Sequence, residues 1–157
     1  MKNKCCPYFS IVMPVYNAGK YLNKAIGSIL QQSFSDFELI LIEDHSRDQS
    51  YKICYEYARH DQRIQILQTK RNSGGAAARN VALNKIQGIY LLFADADDYV
   101  DKDWLWNIHK TIYKEMPDCL KMGCVEEYFN KNILRYRKVC IPGNGFWRSH
   151  IDIAKNY

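Results

Sequence analysis

Short apolar runs alternate with segments of helical period along this chain. Phe9-Ser-Ile-Val-Met-Pro-Val15 is apolar and β-branched and breaks at Tyr-Asn-Ala-Gly19, so it reads as a buried strand ending in a turn. Tyr21, Leu22, Ala25, Ile26, Ile29 and Leu30 then recur at helical spacing as far as Gln31-Gln32-Ser33. Phe37 to Ile42 predicts a second strand that ends at Glu43-Asp44, and Gln49 to His60 a helix with Ile53, Cys54 and Tyr57 on one face. Ile64 to Leu67 is a short third strand. Arg71-Asn-Ser-Gly-Gly75 is a glycine loop opening an alanine-rich helix from about Ala76 to Lys85. Ile89 to Phe93 predicts a fourth strand ending at Asp95-Ala-Asp-Asp98, and a helix carrying Trp104, Leu105, Ile108 and Ile112 runs up to Pro117.

Strand and helix in strict alternation predict an α/β fold, a mainly parallel sheet with helices on both faces. In such sheets ligands bind outside the carboxyl ends of the strands. Tyr16-Asn17, Glu43-Asp44, Arg71-Asn72 and Asp95–Asp98 are therefore expected on one edge. Beyond Pro117 the pattern changes. Leu120 to Phe129 and Ile133 to Val139 read as a hairpin around Asn130-Lys-Asn132, and Phe146 to Tyr157 as a terminal helix. The expectation is a single domain over 1–157, with a core over 8–116 and a partial hairpin and tail over 117–157.

Composition narrows the class. At 157 residues, with 47% apolar and 25% charged side chains, the chain is long enough for one ordinary core. A net charge of +5 favours anionic partners, but the basic residues are scattered and carry no recognised nucleic-acid motif, so nucleic acid is not expected. Six cysteines, including the adjacent Cys5-Cys6, lack the spacing of a compact zinc site, and no secretory hydrophobic stretch precedes the first strand. Reduced thiols in the cytoplasm are the expectation, with peripheral association at the inner membrane face left open.

Three acidic clusters or loops carry the chemistry. Asp95-Ala-Asp97-Asp98 places three carboxylates within four residues after an apolar strand, and a hard divalent cation bridging to phosphate would relieve their repulsion. Acids favouring a helix N-terminus are the plainer alternative, and Asp98 or Asp101 fits it. Asp44 in Glu43-Asp-His-Ser46 can accept a hydrogen bond from a ring N–H; Ser46 and Asp48 suit a turn capping the next helix, and His45 reads as a spacer. The loop Asn72 to Asn80 lacks both the P-loop signature and the G-x-G-x-x-G spacing, yet free N–H groups at a helix N-terminus can bind an anion, and Arg79 can reach a phosphate or a carboxylate.

Taken together these segments resemble the family 2 glycosyltransferases. Ser10-Ile-Val-Met-Pro-Val-Tyr-Asn17 is similar to their opening S-I-[IV]-x-P-x-Y-N, and Gln32 to Ser50 resembles their Q-[ST]-[FY] … D-D-G-S-x-D block. Asn72 to Asn80 resembles N-x-G-x-x-x-A-R-N, and Asp95–Asp98 resembles D-[SA]-D-D, all in order and at matching spacing over about residues 8 to 106. The resemblance implies a GT-A fold, a Rossmann-like three-layer sandwich. It implies a nucleotide-sugar donor, usually a UDP-sugar, and Mn²⁺ or Mg²⁺. It implies inverting transfer to the hydroxyl of a saccharide or lipid-linked acceptor in bacterial-type glycan synthesis, and it is compatible with a homodimer. At the matching positions, Pro14 and Tyr16 would flank the nucleobase, with Tyr16 stacked on it, and Asp44 would hydrogen-bond it. Asp95 would lie near the ribose or the metal, Asp97 would be the metal ligand, and Arg79 would lie near the sugar-phosphate.

Glu43 replaces the first Asp of the D-D pair, His45 replaces a small residue, and Lys102 stands where the family often has Pro. No G-E-D-like motif follows Val125, so the catalytic base is left unnamed, although Glu126, Glu127 and Asp152 are available carboxylates. Binding of donor without transfer at ordinary rates is the rival expectation. A dinucleotide-binding oxidoreductase would need G-x-G-x-x-G where Tyr16-Asn-Ala-Gly19 stands.

Overall fold

The computed structural model describes residues 6–122, 124–130, 133–140 and 146–147, with side chains to Val125. The elements in order are β1 (Phe9–Val15), α1 (Leu22–Leu30), β2 (Phe37–Glu43), α2 (Ser50–His60), β3 (Ile64–Gln68), α3 (Gly75–Ala82), β4 (Tyr90–Phe93), α4 (Trp104–Glu115), β5 (Cys119–Leu120), β6 (Cys124–Asn130), β7 (Ile133–Cys140) and β8 (Phe146–Trp147). Two compact units divide between Asn107 and Ile108, inside α4.

The first unit holds a four-stranded sheet of order β3-β2-β1-β4, and every neighbouring pair is parallel. Side chains alternate along each strand, so consecutive residues face opposite layers. Val12, Ile40 and Ile42 form a fully buried cluster with Ala78 and Ala82 of α3, joined by Leu67, Ile86 and Leu91. Ile11, Met13, Leu39 and Leu41 point the other way and are just as buried. Both faces of the sheet are therefore covered, which is the three-layer arrangement expected, and the near-continuous apolar reading of β1 and β2 follows from it. Small residues on α3 are what let that helix lie close to the sheet.

Register sets where the strands end. Phe9 pairs with Phe37 and with Tyr90, and β4 ends at Phe93 opposite Val12. Ala94 N–H still reaches Val12 O at 3.1 Å, so Asp95 to Asp98 emerge beside the end of β1. On the other side Asp44 N–H donates to Val15 O (2.9 Å) and Thr69 N–H to Glu43 O (3.2 Å). Four loops thus leave the sheet along one edge, and the chain reverses across β1 between β3 and β4.

The acid-bearing loop is tied back to α1. Gln32, itself buried, donates through Nε2 to Asp101 O (2.6 Å) and accepts at Oε1 from Leu105 N–H (2.9 Å). It thereby satisfies an orphan donor at the start of α4. Ser33 N–H donates to Lys102 O (3.0 Å), and Val100 N–H to Ser28 Oγ (3.2 Å).

In the second unit β6 and β7 form an antiparallel hairpin with a register irregularity at Tyr128/Phe129, and β5 pairs with β8. Two expectations change here. The strand expected from Leu120 to Phe129 is two strands, β5 and β6, with exposed Lys121 and Met122 among the residues between them. The expected helix does not begin at Phe146: Phe146 and Trp147 pair with Leu120 and Cys119 as β8. Consecutive aromatic residues suit an extended chain that has a partner strand. Residues 148–157 lie outside the described residues.

One glycine is required by close packing. A Cβ at Gly88 would lie 2.5 Å from Ser10 N and 2.7 Å from Phe9 C, both backbone atoms that cannot swing aside. Gly27 on α1 has nothing within 4 Å of that position. Gly88→Ala should therefore cost about 1–3 kcal/mol, whereas Gly27→Ala should gain about 0.5–1 kcal/mol from reduced chain entropy. Urea unfolding followed by far-ultraviolet circular dichroism reads both, with midpoints moving in opposite directions.

Candidate functional site

At the carboxyl edge of the sheet lies a cleft of about 340 Å³ lined by Pro14, Tyr16, Asp44, Arg79, Asp95 and Asp97, all six residues singled out from the sequence. Its remaining wall includes Asn17, Tyr21, Asn72, Gly74 and Gly75. Tyr16 and Tyr21 are each nearly half exposed, so two aromatic faces are presented to a ligand. Lys20 Nζ lies 4.9 Å from the centre of the Tyr21 ring.

Turn hydrogen bonds set the shape of the β1 side. Asn17 adopts a positive φ of 49°, a conformation that Asn tolerates better than most residues. Its N–H donates to Ser46 Oγ (3.1 Å) and its Oδ1 accepts from Arg47 N–H (2.8 Å). Ala18 N–H donates to Ser50 Oγ and Gly19 N–H to Asp48 Oδ2, each at 2.9 Å. Asp48 Oδ1 also accepts from Ser50 N–H (2.9 Å), the turn expected before α2. The loops after β1 and β2 are thereby laced into one wall.

Two neighbouring buried carboxylates organise the next wall. Glu43 accepts from the N–H groups of His45 and Ser46 and from Gln68 Nε2. Asp44 Oδ1 accepts from the Thr69 hydroxyl at 2.5 Å and the Ser73 hydroxyl at 3.1 Å. Ser73 N–H bridges both Asp44 oxygens at 3.0 Å, and Gly74 N–H donates to Oδ2 at 2.8 Å. Burial works to raise the pKa of each acid, but these donors outweigh it and hold both below their ordinary values. His45 is more than a spacer: at φ 61° its ring Nε2 lies 2.7 Å from Thr69 O, linking the ends of β2 and β3.

The glycine loop is consequently not an open anion cradle at its tip, because Ser73 N–H and Gly74 N–H already face Asp44. Gly74 sits at φ 81°, a conformation that admits little besides glycine, and the chain turns there into α3. Arg79 on α3 reaches across the cleft to Asp95 Oδ1 (2.5 Å), with its guanidinium 5.8 Å from the Phe93 ring centre. Both partners are partly exposed, so the pair is open to exchange with a charged ligand.

The acid cluster is electrostatically uncomfortable. Burial, followed by the negative charges of Asp97 and Asp95, raises the carboxyl pKa of Asp98. Among the described residues no three His, Cys, Asp or Glu side chains gather to hold a metal by themselves. A site of one or two carboxylates completed by phosphate oxygens is how Mg²⁺ is commonly held. Asp95 and Asp97, both lining the cleft, fit that requirement.

A sequence model of glycosyl transferase family 2 matches residues 10–152 of this protein. The chain belongs to that family. An uncharacterised glycosyltransferase of Haemophilus influenzae is 48% identical over 99 residues, covering 63% of this chain and 40% of that protein. The poly(ribitol-phosphate) β-N-acetylglucosaminyltransferase TarS of Staphylococcus aureus is 38% identical over 100 residues, 62% of this chain and 17% of that protein. A crystal structure of TarS residues 1–349 in complex with UDP superposes with a TM-score of 0.65 at 34% identity, over 70% of this chain and 33% of that one. A mannosyltransferase of Pyrobaculum calidifontis, solved with GDP-Man and Mn²⁺, shares the fold at a TM-score of 0.65 and 20% identity, over 73% of this chain and 34% of that one. The family 2 chain therefore has the GT-A architecture, and it spans two fifths or less of the two relatives' lengths.

Among the cleft residues Tyr21 escaped the sequence reading, because it looked like the first residue of a helix face, whereas Asn72 was expected on this edge. Thr69 and Ser73 meet Asp44 across 25 and 29 residues of chain, a separation that no local pattern reports. Of the three carboxylates considered as bases, Glu126 and Glu127 lie on β6 just past the last described side chain, and Asp152 is outside the described residues.

The depressed pKa values have a pH consequence. The stability contributed by Glu43 and Asp44 is complete above the unfolded carboxylate range of about pH 4, and it is lost as pH falls through their lower folded values. Thermal melting of the first unit should thus be level above about pH 5 and fall on further acidification. Asp44→Asn should melt lower at neutral pH and lose less on acidification, so its curve and the wild-type curve converge at low pH.

Proposed function

We propose that this chain is the donor-binding part of an inverting glycosyltransferase that takes a UDP-sugar with Mn²⁺ or Mg²⁺. The reading holds that the sugar passes to a hydroxyl of a saccharide or lipid-linked acceptor in bacterial surface-glycan synthesis. One observation carries the reading: the six residues marked by the family motifs, separated by up to 83 positions in the chain, line a single cleft at the carboxyl edge of a parallel sheet. The UDP complex of the similar TarS supports the choice of nucleotide.

In this reading Tyr16 stacks on the nucleobase, Pro14 flanks it and Asp44 hydrogen-bonds it. Arg79, now paired with Asp95, turns to the diphosphate once the donor is bound, leaving Asp95 for the ribose or the cation. Asp97 and Asp95 would hold the cation, which when bound supplies positive charge against the leaving diphosphate. The cation would also offset the crowding of the acids, since burial first and then the charges of Asp97 and Asp95 raise the pKa of Asp98. Among the described residues no helix is long and apolar enough to cross a membrane, and any contact with a lipid-linked acceptor is made from the bilayer surface in this reading.

Titration calorimetry with UDP, ADP and GDP, each with Mn²⁺ and with chelator, tests the proposal. UDP should bind most tightly, and only with the cation. Asp97→Asn should lose at least about tenfold of the metal-dependent affinity, because the amide is a neutral and poorer ligand for a hard cation. Equal affinity for the three nucleotides in chelator would refute both the base and the metal assignments.

A further inference from the structure

Asp97 and Asp95 repel the charge of Asp98, so the turn that carries all three has to be held in place against its own side chains. Asp98 N–H donates to Asp95 O at 3.3 Å and closes that turn around the buried Ala96. Each of the next three residues then meets α1 or its end. The Lys24 ammonium lies 3.1 Å from the centre of the Tyr99 ring, Val100 N–H donates to Ser28 Oγ at 3.2 Å, and Asp101 O accepts from Gln32 Nε2 at 2.6 Å. Lys24, Ser28 and Gln32 follow one another a helical turn apart, so they form a single stripe. Of these three contacts, the one made by Lys24 falls beside Asp98 in the chain. Lys24 is exposed and Tyr99 is 44% exposed, so neither side chain is there to fill the core.

We propose that Lys24 is a positioning residue for the cation: its ammonium pins the Tyr99 ring, and through it the turn that presents Asp95 and Asp97 to the cleft. This rests on the donor-and-metal reading above. Neither Lys24 nor Tyr99 lines the cleft, and among the described residues Lys24 makes no ion pair. The face of an aromatic ring attracts an ammonium, and that attraction needs both partners in one geometry. The charge of Lys24 and its contact act on a divalent cation in opposite directions. A lysine acting through its field alone repels the cation and weakens its binding. A lysine that steadies the acid-bearing turn strengthens it. The sign of the effect on removing Lys24 therefore separates the two roles.

The test is a Mn²⁺ titration of the intact chain with UDP present, read by the electron paramagnetic resonance of the free ion. Lys24→Met keeps an unbranched side chain but removes the charge, and it should weaken Mn²⁺ about two- to fivefold, the worth of one exposed cation–π contact. Tyr99→Leu leaves the charge in place and should weaken Mn²⁺ to the same extent. Lys24→Arg and Tyr99→Phe each keep a cation over an aromatic face and should bind Mn²⁺ as the wild type does. Combining Lys24→Met with Tyr99→Leu should cost no more than either change alone, because both remove one shared contact. Without any ligand, exchange of the Val100 amide hydrogen should quicken in both single losses and stay unchanged in the two conservative variants. Tighter Mn²⁺ binding by Lys24→Met would overturn the proposal in favour of plain charge repulsion. Unchanged Mn²⁺ affinity alongside faster exchange would reduce the contact to a structural one and overturn it as well. A wild-type chain that binds no Mn²⁺ in the presence of UDP would instead remove the metal reading, and the role of Lys24 with it.

Discussion

The loops after β2 and β3, at the carboxyl edge of the sheet, hang on two adjacent carboxylates buried at the end of β2. An ionised acid out of water is tolerable only where hydrogen bonds replace its hydration, and Glu43 and Asp44 obtain those bonds from opposite directions. Glu43 gathers the turn that follows it, and Asp44 gathers the loop after β3. Because the two residues are consecutive, the turn carrying Ser46 and Asp48 and the loop carrying Ser73 and Gly74 are held in one frame. The β1 turn is then added to it through Asn17, Ala18 and Gly19. Replacing the family's first Asp with Glu43 is compatible with this role. The longer side chain reaches three donors.

Much of this was legible in the residues. The strands came out close to their observed bounds because β1 and β2 are buried on both faces and their sequences are almost uninterruptedly apolar. The cleft could be foreseen because all the polar strand ends of a parallel sheet share an edge, and the motif residues fall at those ends. What the sequence hid is equally physical. The hydrogen bonds of Asp44 depend on loop conformation, which a glycine at φ 81° determines and hydrophobic period does not report. Likewise Gln32 and Ser33 looked like the polar close of α1, whereas they clasp residues about 70 positions away. Phe146-Trp147 was misread because a two-residue strand exists only through its partner, β5.

The two sides of the cleft are held by different means. The Asp44 wall is neutralised internally, by hydroxyls and backbone N–H groups. The Asp95–Asp98 wall has Arg79 as a partly exposed counter-charge, and the Asp98 carboxyl is still pushed up. An anionic ligand carrying a cation would redistribute charge on the second wall and leave the first almost untouched. One side of the cleft is thus held rigidly, and the other carries exchangeable charge.

The clasp between α1 and the acid-bearing loop has one more implication. Ser28, Gln32 and Ser33 do not line the cleft, yet they hold Val100 to Leu105 against the end of α1. The acidic loop therefore borrows its stiffness from α1, much as a cantilever does from the wall in which it is set. Fraying of that last helical turn, driven by heat or by sequence drift at positions that seem merely polar, would blunt the acidic site before it melted any strand. The damage would look chemical although its origin was mechanical.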